Sequence, residues 1–117
     1  MNNDIKEKIV KTYVMIPFQV KEEHLEEAKK AIRKLIANVR ENEPATLLYK
    51  SLQLKSDPTS FIHFIIFADD DAHLRHRSAE YVLEFVKKIY EFCPNEPYPI
   101  FLDNFDSCGI AFSEEDA

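Results

Sequence analysis

Glycine is almost missing from this sequence, with Gly109 the only one among 117 residues. Loops that cradle phosphates or dinucleotides need several glycines to let backbone amides approach the ligand. Most nucleotide-dependent enzymes are therefore excluded. Cysteine is scarce too, and Cys93 and Cys108 are too few for a disulfide framework. In a reducing compartment both read as buried thiols. No apolar stretch approaches the ~20 residues that cross a bilayer. The N-terminal MNNDIKEKIVKTY alternates charged and apolar residues, unlike the apolar centre of a signal peptide. The expected location is the cytoplasm. A basic run is lacking as well: 15 Lys and Arg face 21 Asp and Glu, for a net charge of −6. Nucleic acid and membrane are not expected as partners on that balance.

What is abundant is apolar and aromatic: 45% hydrophobic residues, with nine Phe and five Tyr. That is enough for one ordinary core. Without repeats or linkers, residues 1–117 read as a single domain. Its core runs from about 12 to 108, with an N-terminal arm over 1–11 and a C-terminal tail over 109–117.

Periodicity assigns the elements. TYVMIPFQV, Thr12 to Val20, alternates as a strand with Val14, Ile16, Phe18 and Val20 on one face. Pro17 cannot donate to a ladder, which implies an edge or a bulge there. Lys21 to Asn42 has Leu25, Ala28, Ile32, Leu35, Ile36 and Val39 at helical spacing, and Asn42-Glu43-Pro44 stops it. Ala45 to Lys55 and Ser60 to Ala68 are strands, joined by the turn residues Ser56-Asp57-Pro58-Thr59 as a hairpin. Asp70 to about Cys93 reads as one long helix with the stripe Leu74, Tyr81, Val82, Phe85, Val86 and Ile89, ended by Pro94. A last strand follows from Ile100 to Cys108.

The order is β-α-β-β-α-β: an α+β, ferredoxin-like fold, four antiparallel strands with two helices on one face. The third strand is apolar on both sides, with Phe61, Ile65 and Phe67 against Ile62, Phe64, Ile66 and Ala68. Two helices cover one face only, so the other predicts a homodimer formed sheet to sheet.

The segments FQVKEEHLEEAKKAIRKL, NEPATLLYKSLQ and DPTSFIHFIIFADDDAHLRHRSAEYVLEFV, in this order, resemble the antibiotic biosynthesis monooxygenase-like (ABM) family from about Tyr13 to Phe105. The resemblance implies a dimeric α+β barrel with a pocket between each sheet and its helices. Some members oxidise quinols or polycyclic aromatics with O₂, without metal or flavin; others degrade haem, and others have no known chemistry. This sequence departs from the pattern in places. Ile65 stands where a Glu is frequent, Phe67 replaces the commoner Trp, and the position of a usual serine holds Ala79. The asparagine and later histidine of the haem-degrading branch have no counterpart, which disfavours haem.

The densest charged stretch, ADDDAHLRHRS at 68–78, invites a metal reading, because His73 and His76 share a helical face. Arg75 and Arg77 flank the pair with positive charge, and Asp69-Asp70-Asp71 suits the opening of a helix. No metal and no cofactor are expected. His76, where the resemblance falls, is the candidate proton acceptor, with Glu80 at i+4 to orient it. His63 is a second catalytic candidate, since it shares a strand face with Ile65 and Phe67. Tyr49, Phe67 and Ile65 are the expected substrate-binding residues. His73 and His24 read as solvent-facing. The expected function is a cofactor-independent monooxygenase on a small aromatic or quinol. The alternative is a non-catalytic dimeric stress-related or small-molecule-binding protein on the same fold.

Overall fold

A computed structural model of the chain describes residues 10–109. Residues 1–9 of the expected arm and 110–117 of the expected tail lie outside the described residues. The described elements are β1 (Thr12–Gln19), a short 3₁₀ turn (Glu22–His24), α1 (Leu25–Asn42), β2 (Thr46–Gln53), β3 (Ser60–Phe67), α2 (Asp70–Ser78), α3 (Glu80–Phe92) and β4 (Ile100–Leu102). The sheet is four-stranded in the order β2-β3-β1-β4, with each pairing antiparallel. This is the α+β, ferredoxin-like arrangement that the alternating elements imply.

Side-chain alternation settles which residues meet the helices. On β1, Val14 and Phe18 are buried, and on β3 so are Phe61, His63, Ile65 and Phe67. Ala28, Ile32, Leu35 and Val39 of α1 are buried, as the four-and-three spacing requires. Phe18, Val20, Ile32, Phe61, Ile89 and Phe92 form one cluster, and Val14, Ile65, Phe67 and Ala72 a second. Fully burying a Phe or Ile contributes about 1.5–3 kcal/mol, so these few side chains carry much of the stability. Pro17 fits because β4 reaches along β1 only to Met15, leaving the strand without a neighbour on that side beyond it. Asp57 organises the β2–β3 turn by accepting from the Thr59 amide and the Ser60 hydroxyl.

Three features differ from the sequence expectation. The long second helix is broken at Ala79, whose backbone is extended (φ −69°, ψ 142°). The stripe explains the break. α2 buries Ala72 and His76, whereas α3 buries Val82, Ile89 and Phe92. A straight helix from His76 would bring Leu83 inward rather than Val82. Removing one residue from the helix rotates the second half by about 100° and brings both sets onto the sheet. The Ser78 hydroxyl, bonded back to the Leu74 carbonyl at 2.8 Å, favours that bend. Leu74 consequently leaves the stripe and is 49% exposed.

The last strand ends at Leu102 rather than Cys108. Asp103-Asn104 begins a polar run that leaves the sheet, and Phe105 is fully exposed. Cys108 is therefore an exposed thiol, not a buried one; Cys93 is buried as expected. Finally, a β-bulge interrupts β2: Thr46 faces Phe67 and Leu48 faces Ile66, so Leu47 is the extra residue.

Among the described residues no helix packs on the far side of the sheet. Its surface carries Met15 of β1, Leu48 and Leu52 of β2, Ile62 and Phe64 of β3 and Ile100 of β4. No helix among the described residues is long and apolar enough to cross a membrane.

Candidate functional site

A cavity of about 210 Å³ lies between the inner face of the sheet and helices α2 and α3. Strand β3 places His63, Ile65 and Phe67 on its wall by simple alternation. Tyr49 reaches the same wall because of the bulge at Leu47. Beyond that extra residue Tyr49 pairs with Ile65, and its ring turns inward. His76 enters from α2, where the break at Ala79 lets α2 present its own face to the sheet. All five residues singled out from the sequence, Tyr49, His63, Ile65, Phe67 and His76, line this one cavity. Its mouth is formed by Arg77, Tyr98 and Phe101, all exposed.

The polar groups in this apolar wall form two separate sets. In the first, the Tyr49 hydroxyl and His63 Nδ1 are 2.8 Å apart. Burial, followed by the nearby Glu43 charge, pushes the Tyr49 pKa up, so the phenol keeps its proton. It donates that proton to Nδ1, which leaves His63 protonated on Nε2. That nitrogen is buried and has no partner among the described residues. Phe18 and Tyr49 meet the imidazole edge-on and Phe85 stacks on it at 5.9 Å. Burial in this aromatic box lowers the His63 pKa to about 3.

The second set centres on Glu43. His76 Nδ1 lies 2.9 Å and 3.0 Å from the two carboxylate oxygens. Tyr81 donates its hydroxyl to Oε2 at 2.5 Å, and Thr46 donates to Oε1 at 2.6 Å. The Tyr81 pKa is pushed up, by burial first and then by this carboxylate. A carboxylate accepting from Nδ1–H fixes the tautomer of a neutral imidazole and leaves Nε2 with its lone pair. His76 is thus a histidine with a free basic nitrogen, and His63 one whose basic nitrogen is already engaged.

Glu43 and Tyr81 escaped the sequence reading, which took the first as part of a helix stop and the second as core. The expected partner of His76, Glu80, is not the partner: with Ala79 out of the helix, the i+4 relation is lost and Glu80 is exposed. One signal pointed to Glu43. An acid at the C-cap of a helix sits against the negative end of the dipole, a cost that needs strong donors in return. His73 also differs from expectation. It is half-buried against Phe67 at 5.0 Å and lines the cavity. Burial lowers its pKa, helped by the nearby Arg77 and His76 and opposed by Asp70. His24, expected in solvent, stacks on Phe92 at 4.7 Å and bonds Glu27 at 3.1 Å.

The charged stretch at 68–78 opens a helix: Asp69 caps α2, accepting from the Ala72 amide at 2.8 Å, and Asp70 accepts from Thr12 at 2.6 Å. Among the described residues no three His, Cys, Asp or Glu side chains cluster as a metal site would need.

Comparison with known proteins gives one family. The family model described as "Antibiotic biosynthesis monooxygenase" matches residues 12–88. No curated protein matches the chain by sequence. Among solved structures, one described as an antibiotic biosynthesis monooxygenase is 22% identical, covering 79% of this chain and 96% of its own, with a TM-score of 0.74. The Pseudomonas aeruginosa protein PA3566 is also 22% identical, covering 86% of this chain and 99% of its own, with a TM-score of 0.75. Rv0793 from Mycobacterium tuberculosis is 14% identical, over 85% and 99%, with a TM-score of 0.76. At these identities the structures share the fold.

The burial of His63 has a measurable consequence. Below pH about 6.5 the unfolded chain binds a proton at this residue that the folded chain refuses until about pH 3. His63 therefore costs no stability above that window and about 1.4 kcal/mol per pH unit within it, as pH falls. Urea unfolding of wild type and His63→Gln across the window is expected to show a flatter loss in the variant; parallel curves would contradict the buried neutral imidazole.

Proposed function

The chain belongs to the antibiotic biosynthesis monooxygenase family, and on that premise we propose that it oxidises a small aromatic or quinol substrate with O₂. No metal or flavin is needed for this chemistry. The observation that carries the reading is His76, held through Nδ1 by Glu43 at the wall of an apolar cavity large enough for one or two fused rings.

Within the cavity, His76 Nε2 accepts the proton of a substrate hydroxyl, and the Glu43 carboxylate steadies the imidazolium that forms. The resulting anion is a stronger reductant than the neutral substrate. It passes one electron to O₂, and the superoxide and substrate radical join as a carbon–oxygen bond. The peroxide then takes a proton and its O–O bond breaks. One oxygen stays on the product as a carbonyl and the other leaves as water, with the carbon-bound hydrogen lost as a proton. Dry aromatic walls such as Phe67 and Phe85 keep bulk water from the anion. His63 plays the other part: its Nε2–H is available as a donor, while Tyr49, Ile65 and Phe67 shape the ring site.

A binding module on the same frame is the second reading. Its support is Ile65, fully buried at the wall where family members frequently carry a glutamate. Tight binding of hydroquinones with no oxygen consumption would select it. For the monooxygenase, oxygen uptake against a panel of hydroquinones should fall roughly 10²–10⁴-fold in His76→Ala. Equal uptake in wild type and variant would contradict the role of His76.

We further propose a homodimer through the uncovered sheet face, since Ile62, Phe64 and Leu52 would otherwise leave a contiguous apolar surface in water. Light scattering at micromolar concentration should give twice 13.7 kDa. Phe64→Lys, at the centre of that face, should give the single-chain mass; a monomeric wild type would refute the interface.

A further inference from the structure

The Glu43 carboxylate has cavities on both of its sides. On one, its partner His76 lines the apolar cavity. On the other, Glu43 itself lines a second cavity of about 350 Å³, together with Thr46, Arg75 and Tyr81. Asn42, Pro44 and Arg75, which also line this outer cavity, are exposed, so it is open to water. The hydrogen-bonded pair therefore lies between an apolar cavity and one open to water, with 2.9 Å between Nδ1 and Oε1.

We propose that Glu43 and His76 form a two-way proton wire through the rear wall of the cavity, with Glu43 passing protons between His76 and water in the outer cavity. This rests on His76 being the base. A ligand filling the inner cavity plugs the mouth at Tyr98 and Phe101, so the rear wall is the route that stays open. A proton sent out by this route is matched by one that returns, so the wire works in both directions. On the outward stroke, the substrate O–H bond breaks and its proton joins His76 Nε2. The Nδ1 proton moves to Glu43 and then to water in the outer cavity. The imidazole is left protonated on Nε2, the wrong nitrogen for another turnover. On the return stroke, water reprotonates Glu43, Nδ1 takes that proton, and Nε2 gives its own to the peroxide oxygen. The ring recovers its starting tautomer without rotating. No net proton is consumed. Thr46 and Tyr81 hold the carboxylate in line and make Glu43 a positioning residue as well as a carrier.

The test uses the full-length protein without oxygen, so that no oxidation is involved. 4-Nitrophenol is mixed rapidly with the protein in weak buffer containing a pH indicator. The phenolate band reports proton loss from the ligand, and the indicator reports proton arrival in bulk water. In the wild type the two signals should rise together. In Glu43→Gln, which keeps an acceptor for Nδ1–H but is a far weaker proton carrier, the phenolate should still form, with bulk release slowed roughly a hundredfold. Should that variant fail to fold, Arg75→Trp, which plugs the outer cavity from an exposed position, carries the test and should slow release alone. Unchanged release in the folded variant overturns the wire and leaves the base intact. Absence of any phenolate in the wild type removes the base, and the wire with it.

Discussion

The carboxylate of Glu43 is the contact on which this site depends. It ends α1, accepts from Thr46 at the start of β2, from His76 on α2 and from Tyr81 on α3, and so ties four elements at one point. Its side chain is 10% exposed, and a carboxylate that buried at the negative end of a helix is costly unless fully bonded. Charge-assisted hydrogen bonds contribute about 1.5–3 kcal/mol each, which offsets that cost and fixes the geometry. The pre-proline backbone at Glu43 turns the residue out of the helix, and the break at Ala79 brings His76 to meet it. Neither bend serves the core alone. Together they place one imidazole with a defined tautomer at the edge of a dry chamber.

Two histidines share that chamber and differ in what surrounds them. His63 is enclosed by Phe18, Tyr49 and Phe85, and a neutral phenol occupies its basic nitrogen. Desolvation decides its state, and it stays neutral at any physiological pH. His76 meets a carboxylate instead, which leaves its basic nitrogen free. One ring is therefore suited to donate and the other to accept. The polar content of the cavity is small, and the proposed chemistry asks for little more than that contrast.

Much of this was legible in the sequence, and the gaps have physical causes. The strand face of β3 was readable because period-two alternation runs unbroken along it, so His63, Ile65 and Phe67 fell on one wall. The bulge at Leu47 that turns Tyr49 inward left no mark, since neither Gly nor Pro announces it. The break at Ala79 was equally silent: Ala favours helix, and only the mismatch between the Ala72–His76 stripe and the Val82–Ile89 stripe records it. Glu43 was missed because its partner lies 33 positions away, beyond any local spacing rule. The shortened last strand shows the same limit, for the residues after Leu102 find no neighbour in the sheet.

The tautomer of His76 is the centre of this account, and long-range proton–nitrogen NMR on the protein with labelled histidine reads it directly. Neutral His76 should show a protonated Nδ1 and a bare Nε2, with the Nδ1 proton lost from view in Glu43→Ala. A neutral ring protonated on Nε2 in the wild type would mean that Glu43 does not set the base, and the proposed chemistry would lose its proton acceptor.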